Sequence, residues 1–352
     1  MRIGHVRERH APAGTPWRLA AALDDGERPA RWLDLEVARR RLVRLDERLA
    51  HNDPLFRVPV TTLDAHLGTS GGEQRGRVAA LGALVDPFRS GAVALEEDDD
   101  DAVLAAADLI FGPPILRPPS FRDFYAFEGH VATMWRRRDQ EVPEAWYRLP
   151  IFYFSNTSEI RGDGEPVHAP AGSMELDYEL EVGAIVDSPI ADVPADRAED
   201  AIGGYTILDD WSARDLQRDE TTVRLGPAKG KDFATSIGPW LVTPDELASA
   251  RVPGAAGPDL AMTASVNGVE CSRGSWVDAH FSFGRMLERA STDVRLRPGD
   301  LIGSGTVGSG SLLESREGTL GRYLEPGDVV TLAIERLGRL TTPIVARVSD
   351  RR

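Results

Sequence analysis

The chain is poor in cysteine, in long apolar runs and in positive charge. Cys271 is the only cysteine among 352 residues. An intramolecular disulfide is therefore excluded, and the composition fits a reducing compartment. No run of about 18 apolar residues occurs, so no membrane-spanning helix is expected. The opening residues, MRIGHVRERHAPAG, contain no apolar h-region, so the expectation is no secretory signal and a cytoplasmic location. Lys and Arg number 41 against 56 Asp and Glu, a net charge of −15. That balance argues against nucleic acid and against anionic membranes as partners.

What is abundant is Gly (34) and Pro (24), beside an apolar fraction of 41%. This suits many short strands joined by turns around a sizeable core. Residues 1–115 are read as a small N-terminal module, partly β. Within it, 1–10 and 17–26 hold candidate short strands and 32–50 a charged surface helix. The run EEDDDD (96–101) with AVLAAADLI after it reads as a solvated, acidic helix start. The proline-rich segment 112–120 marks a boundary, and residues 116–352 form the larger β-rich domain. Alternating apolar runs recur there at 149–154, 178–186, 237–244, 261–270, 300–307, 328–338 and 341–348. Asn267-Gly268 is a hairpin turn. Two Pro-Gly-Asp turns, at 298–300 and 326–328, each feed a strand, and 195–208 and 283–291 include helices.

Five segments carry candidate chemistry. In MELDYELEVGAIV (174–186), Glu175, Asp177, Glu179 and Glu181 alternate with apolar residues, as on one face of a strand. Clustered carboxylates suit a hard cation. The apolar run after Glu181 places Glu179 and Glu181 deepest, as candidate ligands; Glu175 and Asp177 are expected at a solvated strand entry. In LDDWSARDLQRDE (208–220) a strand leads into a helix, the kind of exit where sites are commonly built. Only one of the adjacent Asp209 and Asp210 can face a site, and the alternative role for either is a helix N-cap. Arg214 and Gln217 share a helix face. FRDFYAFEGHVATMWRRR (121–138) places an Asp, a Tyr and His130 close together, and a histidine's ordinary pKa of about 6.5 suits a general base at neutral pH. LGPAKGKDFATSIGPW (225–240) lacks the spacing of a phosphate loop; its lysine could instead face an oxyanion. LIGSGTVGSGSLLE (301–314) has glycines at 303, 305, 308 and 310 that permit close approach.

In their order, RDFYAFEGH, YELEVGAIV, DDWSARDLQ, GKDFATSIGPW, RPGDLIGSGT and LEPGDVVTLAIERLG make the chain resemble the fumarylacetoacetate hydrolase family over about residues 115–350. The resemblance implies an α+β, β-rich fold, a mixed β-sandwich roll of that family's C-terminal type. It implies a homodimer and one divalent cation, Mg²⁺ or Ca²⁺ with Mn²⁺ as a further option, held by Asp123, Glu179, Glu181 and Asp210 with Lys231 and Thr235 nearby. It implies a His130–Glu314 pair that activates water, and Lys231, Arg214 and Gln217 facing developing negative charge. Tyr125, Arg136, Tyr153 and Thr306 match substrate-contacting positions. The implied reaction is hydrolysis of a C–C bond in a 1,3-dicarbonyl, a small-molecule diketo or keto acid, with a metal-stabilised enolate leaving. Decarboxylation, isomerisation or sugar-acid dehydration in the same superfamily, and a non-catalytic binding protein on this fold, are the alternatives. Thr221 and Thr222 stand where the animal-type enzyme has an aromatic contact, and FSNTSEI follows Tyr153, which points to a 2,4-dioxo or acylpyruvate-type acid instead of fumarylacetoacetate itself.

Overall fold

A computed structural model describes residues 1–69, 76–94, 102–315 and 319–347. Five strands come from the N-terminal part: β1 (Arg2–Glu8), β2 (Arg18–Ala22), β3 (Arg31–Asp34), β4 (Val103–Ala105) and β5 (Leu109–Phe111). The reading of 102–110 as the body of a helix is corrected: β4, one 3₁₀ turn and β5 take up this segment, because both strands find hydrogen-bonding edges on β3 and β1. The acidic run 96–101 lies outside the described residues. The surface helix is Leu35–Leu45, capped by Asp34, whose side chain accepts from the N–H groups of Glu36 and Val37.

Next come β6 (Phe121–Phe124), β7 (Phe152–Ser155), β8 (Ile160–Arg161), β9 (Leu176–Asp177), β10 (Leu180–Val186), β11 (Ile202–Asp209), β12 (Ser212–Ala213) and β13 (Thr235–Val242). The last are β14 (Ala261–Val266), β15 (Val269–Ser275), β16 (Leu301–Gly303), β17 (Val329–Ile334) and β18 (Gly338–Pro343). A twelve-stranded sheet runs β4-β3-β2-β1-β13-β11-β10-β16-β6-β7, with β5 on β1 and β8 on β13. The sheet therefore passes across the 115 boundary without a break, through the pairing of β1 with β13. It is mixed, since β16 runs parallel to β6. A four-stranded sheet, β15-β14-β17-β18, and the short pair β12-β9 complete the β structure. The α+β, β-rich architecture read from the sequence is the one observed.

β10 is buried at all seven residues, as expected of a strand covered on both faces. Val182, Ala184 and Val186 join the core that includes Met262, Ala264 and Leu332 of the smaller sheet. Ile185 joins Leu208, Ile237 and Leu241 against Leu35, Leu42, Leu81 and Leu84 of the N-terminal helices. Buried His5 ties these parts together. Its Nδ1 lies 2.7 Å from the Pro113 carbonyl, so Nδ1 carries the proton, and its Nε2 accepts from the Leu63 N–H at 2.9 Å.

The turns behave as their sequences predict. Asn267 and Gly268 both have positive φ, 53° and 80°, as a type I′ hairpin requires. In the Pro-Gly-Asp turns, Asp300 accepts from the Arg297 N–H at 2.7 Å and Asp328 from the Glu325 N–H at 2.8 Å. Asp328 also bonds Arg322 and Asn267. Its carboxyl is held down at about 2, first by Arg322 and then, against burial, by the Glu325 N–H. A depressed carboxyl stabilises the fold above its unfolded pKa near 4 and loses that contribution as pH falls through about 2. Asp328→Asn should lower unfolding stability at pH 7 by about 1–2 kcal/mol. The deficit should shrink between about pH 4 and pH 2, which chemical denaturation across that window measures.

Candidate active site

The site forms at the end of the large sheet made by β11, β10, β16, β6 and β7, together with the segments that follow these strands. Asp123 lies on β6, opposite Tyr153 of β7 and Gly303 of β16. Glu181 lies on β10, Asp210 follows the end of β11, and Lys231 precedes β13. Asp123, Glu181 and Asp210 each turn an oxygen to within 4.8 Å of the others, and all three are buried. Strand order explains the convergence. β16 separates β10 from β6, and its residue between the two acids is Gly303. A Cβ there would lie 2.2 Å from Asp123 Oδ1 and 3.1 Å from Glu181 Oε2. The glycine makes room for the carboxylates, where the sequence suggested only approach to a ligand. Gly303→Ala should weaken divalent-cation binding at least tenfold while the chain still folds, measured by calorimetric titration.

The donor set fits a divalent cation. Burial, then repulsion from Asp210, pushes the Asp123 carboxyl well above the ordinary range; burial, then Asp123 and Asp210, does the same to Glu181. Asp123 Oδ1 and Asp210 Oδ1 are buried with no hydrogen-bond partner among the described residues. A hard cation wants such oxygens at about 2.0–2.6 Å. The sequence offers Asp210 either a place in the site or the role of helix cap. Asp210 is not the cap, since the helix Arg214–Thr222 begins after Ala213 without a side-chain cap. Asp209 faces away and accepts the Glu179 N–H at 2.9 Å.

Glu179 sits beside this trio, facing the cations. Arg214 lies 2.8 Å from its Oε1, and Lys231 bonds its Oε2 and also Asp210 Oδ2 at 2.5 Å. Burial would raise the Glu179 carboxyl, but Lys231 and Arg214 outweigh burial and hold it below the usual range. Burial opposes the charge on Lys231, and Asp210 and Glu179 overcome it. Lys231 is one of only two lysines in the chain, with Lys229. The Tyr153 hydroxyl donates to Asp210. Arg214 donates to Gln217 Oε1 at 3.1 Å, the shared helix face read from their spacing. Thr306 reaches Glu181 at 3.4 Å, and Thr235 is buried at the start of β13.

His130 is buried on the helix Glu128–Arg136, its Nδ1 2.7 Å from Glu314 Oε2. Glu314 is fixed in turn by the Ser309 N–H at 3.0 Å and the Ser311 hydroxyl at 3.1 Å. The Tyr125 ring stands edge-on to His130, centroids 5.4 Å apart. Arg136 is exposed at the helix end; its carbonyl accepts the Asp139 N–H, and the charge of Arg138 is the one that acts on the Tyr125 hydroxyl.

One expectation is overturned. Asp177 is not at a solvated strand entry: it is fully buried, and it accepts Arg214 Nε at 2.8 Å. The strand read as continuous is interrupted at 178–179, because 176–177 pair with β12, not with β11. Apolar neighbours after Glu181 gave a depth gradient along one strand, and the break removed it. The signal that could have found Asp177 is the arginine of DWSARD, which needs more than one buried acid. Glu175 does sit near the surface, paired with Arg218 at 2.9 Å.

A profile of the fumarylacetoacetate (FAA) hydrolase C-terminal family matches residues 120–345. The 2,4-didehydro-3-deoxy-L-rhamnonate hydrolase of Sphingomonas sp. (strain SKA58) is 32% identical over 192 residues, 54% of this chain and 62% of that protein. Fumarylacetoacetase of Arabidopsis thaliana is 30% identical over 272 residues, 60% of this chain and 64% of its own length. The chain thus spans less than two thirds of these relatives. Among solved structures, a fumarylacetoacetate hydrolase from Exiguobacterium antarcticum superposes with TM-score 0.65 at 21% identity, covering 99% of this chain and 100% of that one. A maleylpyruvate hydrolase from Sphingobium sp. SYK-6 gives 0.61 at 18% identity with the same coverage. At these identities the superpositions speak for the fold alone.

Proposed function

Because the chain belongs to the fumarylacetoacetate hydrolase family, whose named members are hydrolases and isomerases, we propose that it is a divalent-cation-dependent hydrolase of a 2,4-dioxo, acylpyruvate-type acid. The observation that carries the choice of hydrolysis is the buried His130–Glu314 pair beside the carboxylate cluster. Isomerisation and decarboxylation need no activated water and leave that pair without a task. The name of the Sphingomonas relative, with positions 2 and 4 oxidised, supports the substrate class.

Asp123, Glu179, Glu181 and Asp210 would hold the cation, Mg²⁺ or Ca²⁺. When bound, it supplies Lewis-acid polarisation of substrate oxygens. The chain's own groups do the rest. Glu314 faces His130 Nδ1, which leaves Nε2 to take a proton from water. The hydroxide so formed attacks the carbonyl, and Lys231, Arg214 and Gln217 face the negative charge that develops. The C–C bond breaks, its electron pair stays on the carbon between the two carbonyls, and that carbon is reprotonated. Tyr125, Tyr153 and Thr306 are the proposed substrate contacts, and Arg136, with neighbouring Arg138 as its competitor, is the proposed guanidinium for a terminal carboxylate.

A homodimer is part of the reading. β7 is an edge strand of the large sheet, and Ile151 just before it and Phe154 within it are 51% and 65% exposed, an apolar strip that a second copy would cover. No described helix is long and apolar enough to cross a membrane, and buried, unpaired Cys271 fits the reducing cytoplasm. The test is a panel of acylpyruvates and related keto acids, each with Mg²⁺ and with chelator, its products separated by chromatography. Hydrolysis yields two acids. Release of CO₂, or an isomer of unchanged mass, would reject it.

A further inference from the structure

Asp177 is a buried carboxylate with three donors from two different parts of the site. Its Oδ2 accepts Arg214 Nε at 2.8 Å and the Leu313 N–H at 3.0 Å, and its Oδ1 accepts the Leu312 N–H at 2.8 Å. Leu312 and Leu313 open the short turn that carries Glu314, and Glu314 lies 2.7 Å from His130. Arg214, on the other side, reaches Glu179 at 2.8 Å and Gln217 at 3.1 Å. One side chain therefore fixes both the arginine that faces developing charge and the segment that aims the histidine's partner.

The anchoring is specific to this residue. A carboxylate is the only side chain of this size that offers acceptors alone, and all three partners are donors. Asp177 itself is seated by the pairing of β9 with β12, where it lies opposite Ser212, two residues before Arg214. The same strand pair thus sets the acid and the arginine at a fixed separation. Asp177 is not among the three acids that converge on the cation position, so it can be changed without removing a candidate ligand.

We propose that Asp177 is the positioning residue that couples the two catalytic groups: it holds Arg214 and the Glu314 segment in one mutual geometry, and so places the activated water relative to the charge-stabilising arginine. This rests on the reading of His130–Glu314 as the water-activating pair. Asp177→Asn keeps the volume but turns an N–H₂ toward a donor, so one of the two attachments must open. Positioning errors of this kind cost rate, not ground-state binding.

The experiment is a double-mutant cycle on the full chain loaded with Mg²⁺, comparing wild type, Asp177→Asn, His130→Ala and the double variant, with Glu175→Gln as control. Asp177→Asn is expected to lower kcat about 100-fold, to change KM less than threefold, and to leave Mg²⁺ affinity within twofold by calorimetry. Added to His130→Ala, it should cost less than fivefold more, because the group it aims is already gone. Glu175→Gln should be neutral. A full 100-fold loss on both backgrounds, or an Mg²⁺ affinity that falls in step with kcat, would mean a merely structural role and overturn the inference. So would Asp177→Asn with unchanged kcat. If His130→Ala itself keeps full turnover, the functional reading fails first, and the cycle shows that separately.

Discussion

His130→Ala should abolish turnover of the dioxo acid, by about 10³-fold or more, while the protein binds Mg²⁺ as tightly as before. General-base catalysis by a positioned side chain contributes about 10²–10⁴-fold, and nothing else described near Glu314 can take the proton from water. The histidine is buried, so its loss leaves a small cavity, but it is not one of the residues that converge on the cation position. Calorimetric titration with Mg²⁺, run beside the turnover assay, separates the two effects. Loss of both together would mean that His130 organises the cation position and does not act on water. Glu314→Gln should repeat the result more weakly, since the amide can still contact Nδ1 but cannot stabilise a positive imidazolium.

Glu181→Ala should remove the divalent cation, with a loss in affinity of at least 100-fold, and turnover should go with it. Glu181 is fully buried and faces Asp123 and Asp210 across the room left by Gly303. Three acids this close repel one another, and without a cation Glu181 and Asp123 are driven toward their protonated forms. Removing one acid relieves that repulsion, so the variant should be no less stable than the metal-free wild type. Adding Mg²⁺ should raise the wild-type melting temperature and leave the variant unmoved. Glu175→Ala, whose acid pairs with exposed Arg218, should behave as wild type. Thermal denaturation with and without Mg²⁺ reads all three.

Much of this was legible in the chain itself. The alternation in 180–186, the turn residues at 267–268 and the two Pro-Gly-Asp corners each predict a local geometry that is observed, because each rests on backbone preferences a few residues long. The strand-to-helix exit at 208–222 was legible for the same reason. The burial of Asp177 was not. It depends on a strand break at 178–179 and on a partner strand 35 residues further along, Ser212 opposite Asp177, and no local pattern encodes either. The helix expected over 102–110 failed similarly: an alanine-rich segment favours helix in isolation, but open edges of β3 and β1 take it into the sheet. Gly303 was noticed for its flexibility, whereas its φ is unremarkable and what the site needs from it is the missing Cβ.

The reaction proposed for this site is the splitting of a C–C bond between two carbonyls by activated water with a divalent cation. The most direct measurement follows an acylpyruvate through complete reaction, with Mg²⁺ and with chelator, and counts the products. Pyruvate and the second carboxylic acid are expected in equal amounts, with no CO₂, and no products when Mg²⁺ is chelated. Release of CO₂, an isomer in place of two acids, or equal rates with and without chelator would contradict it.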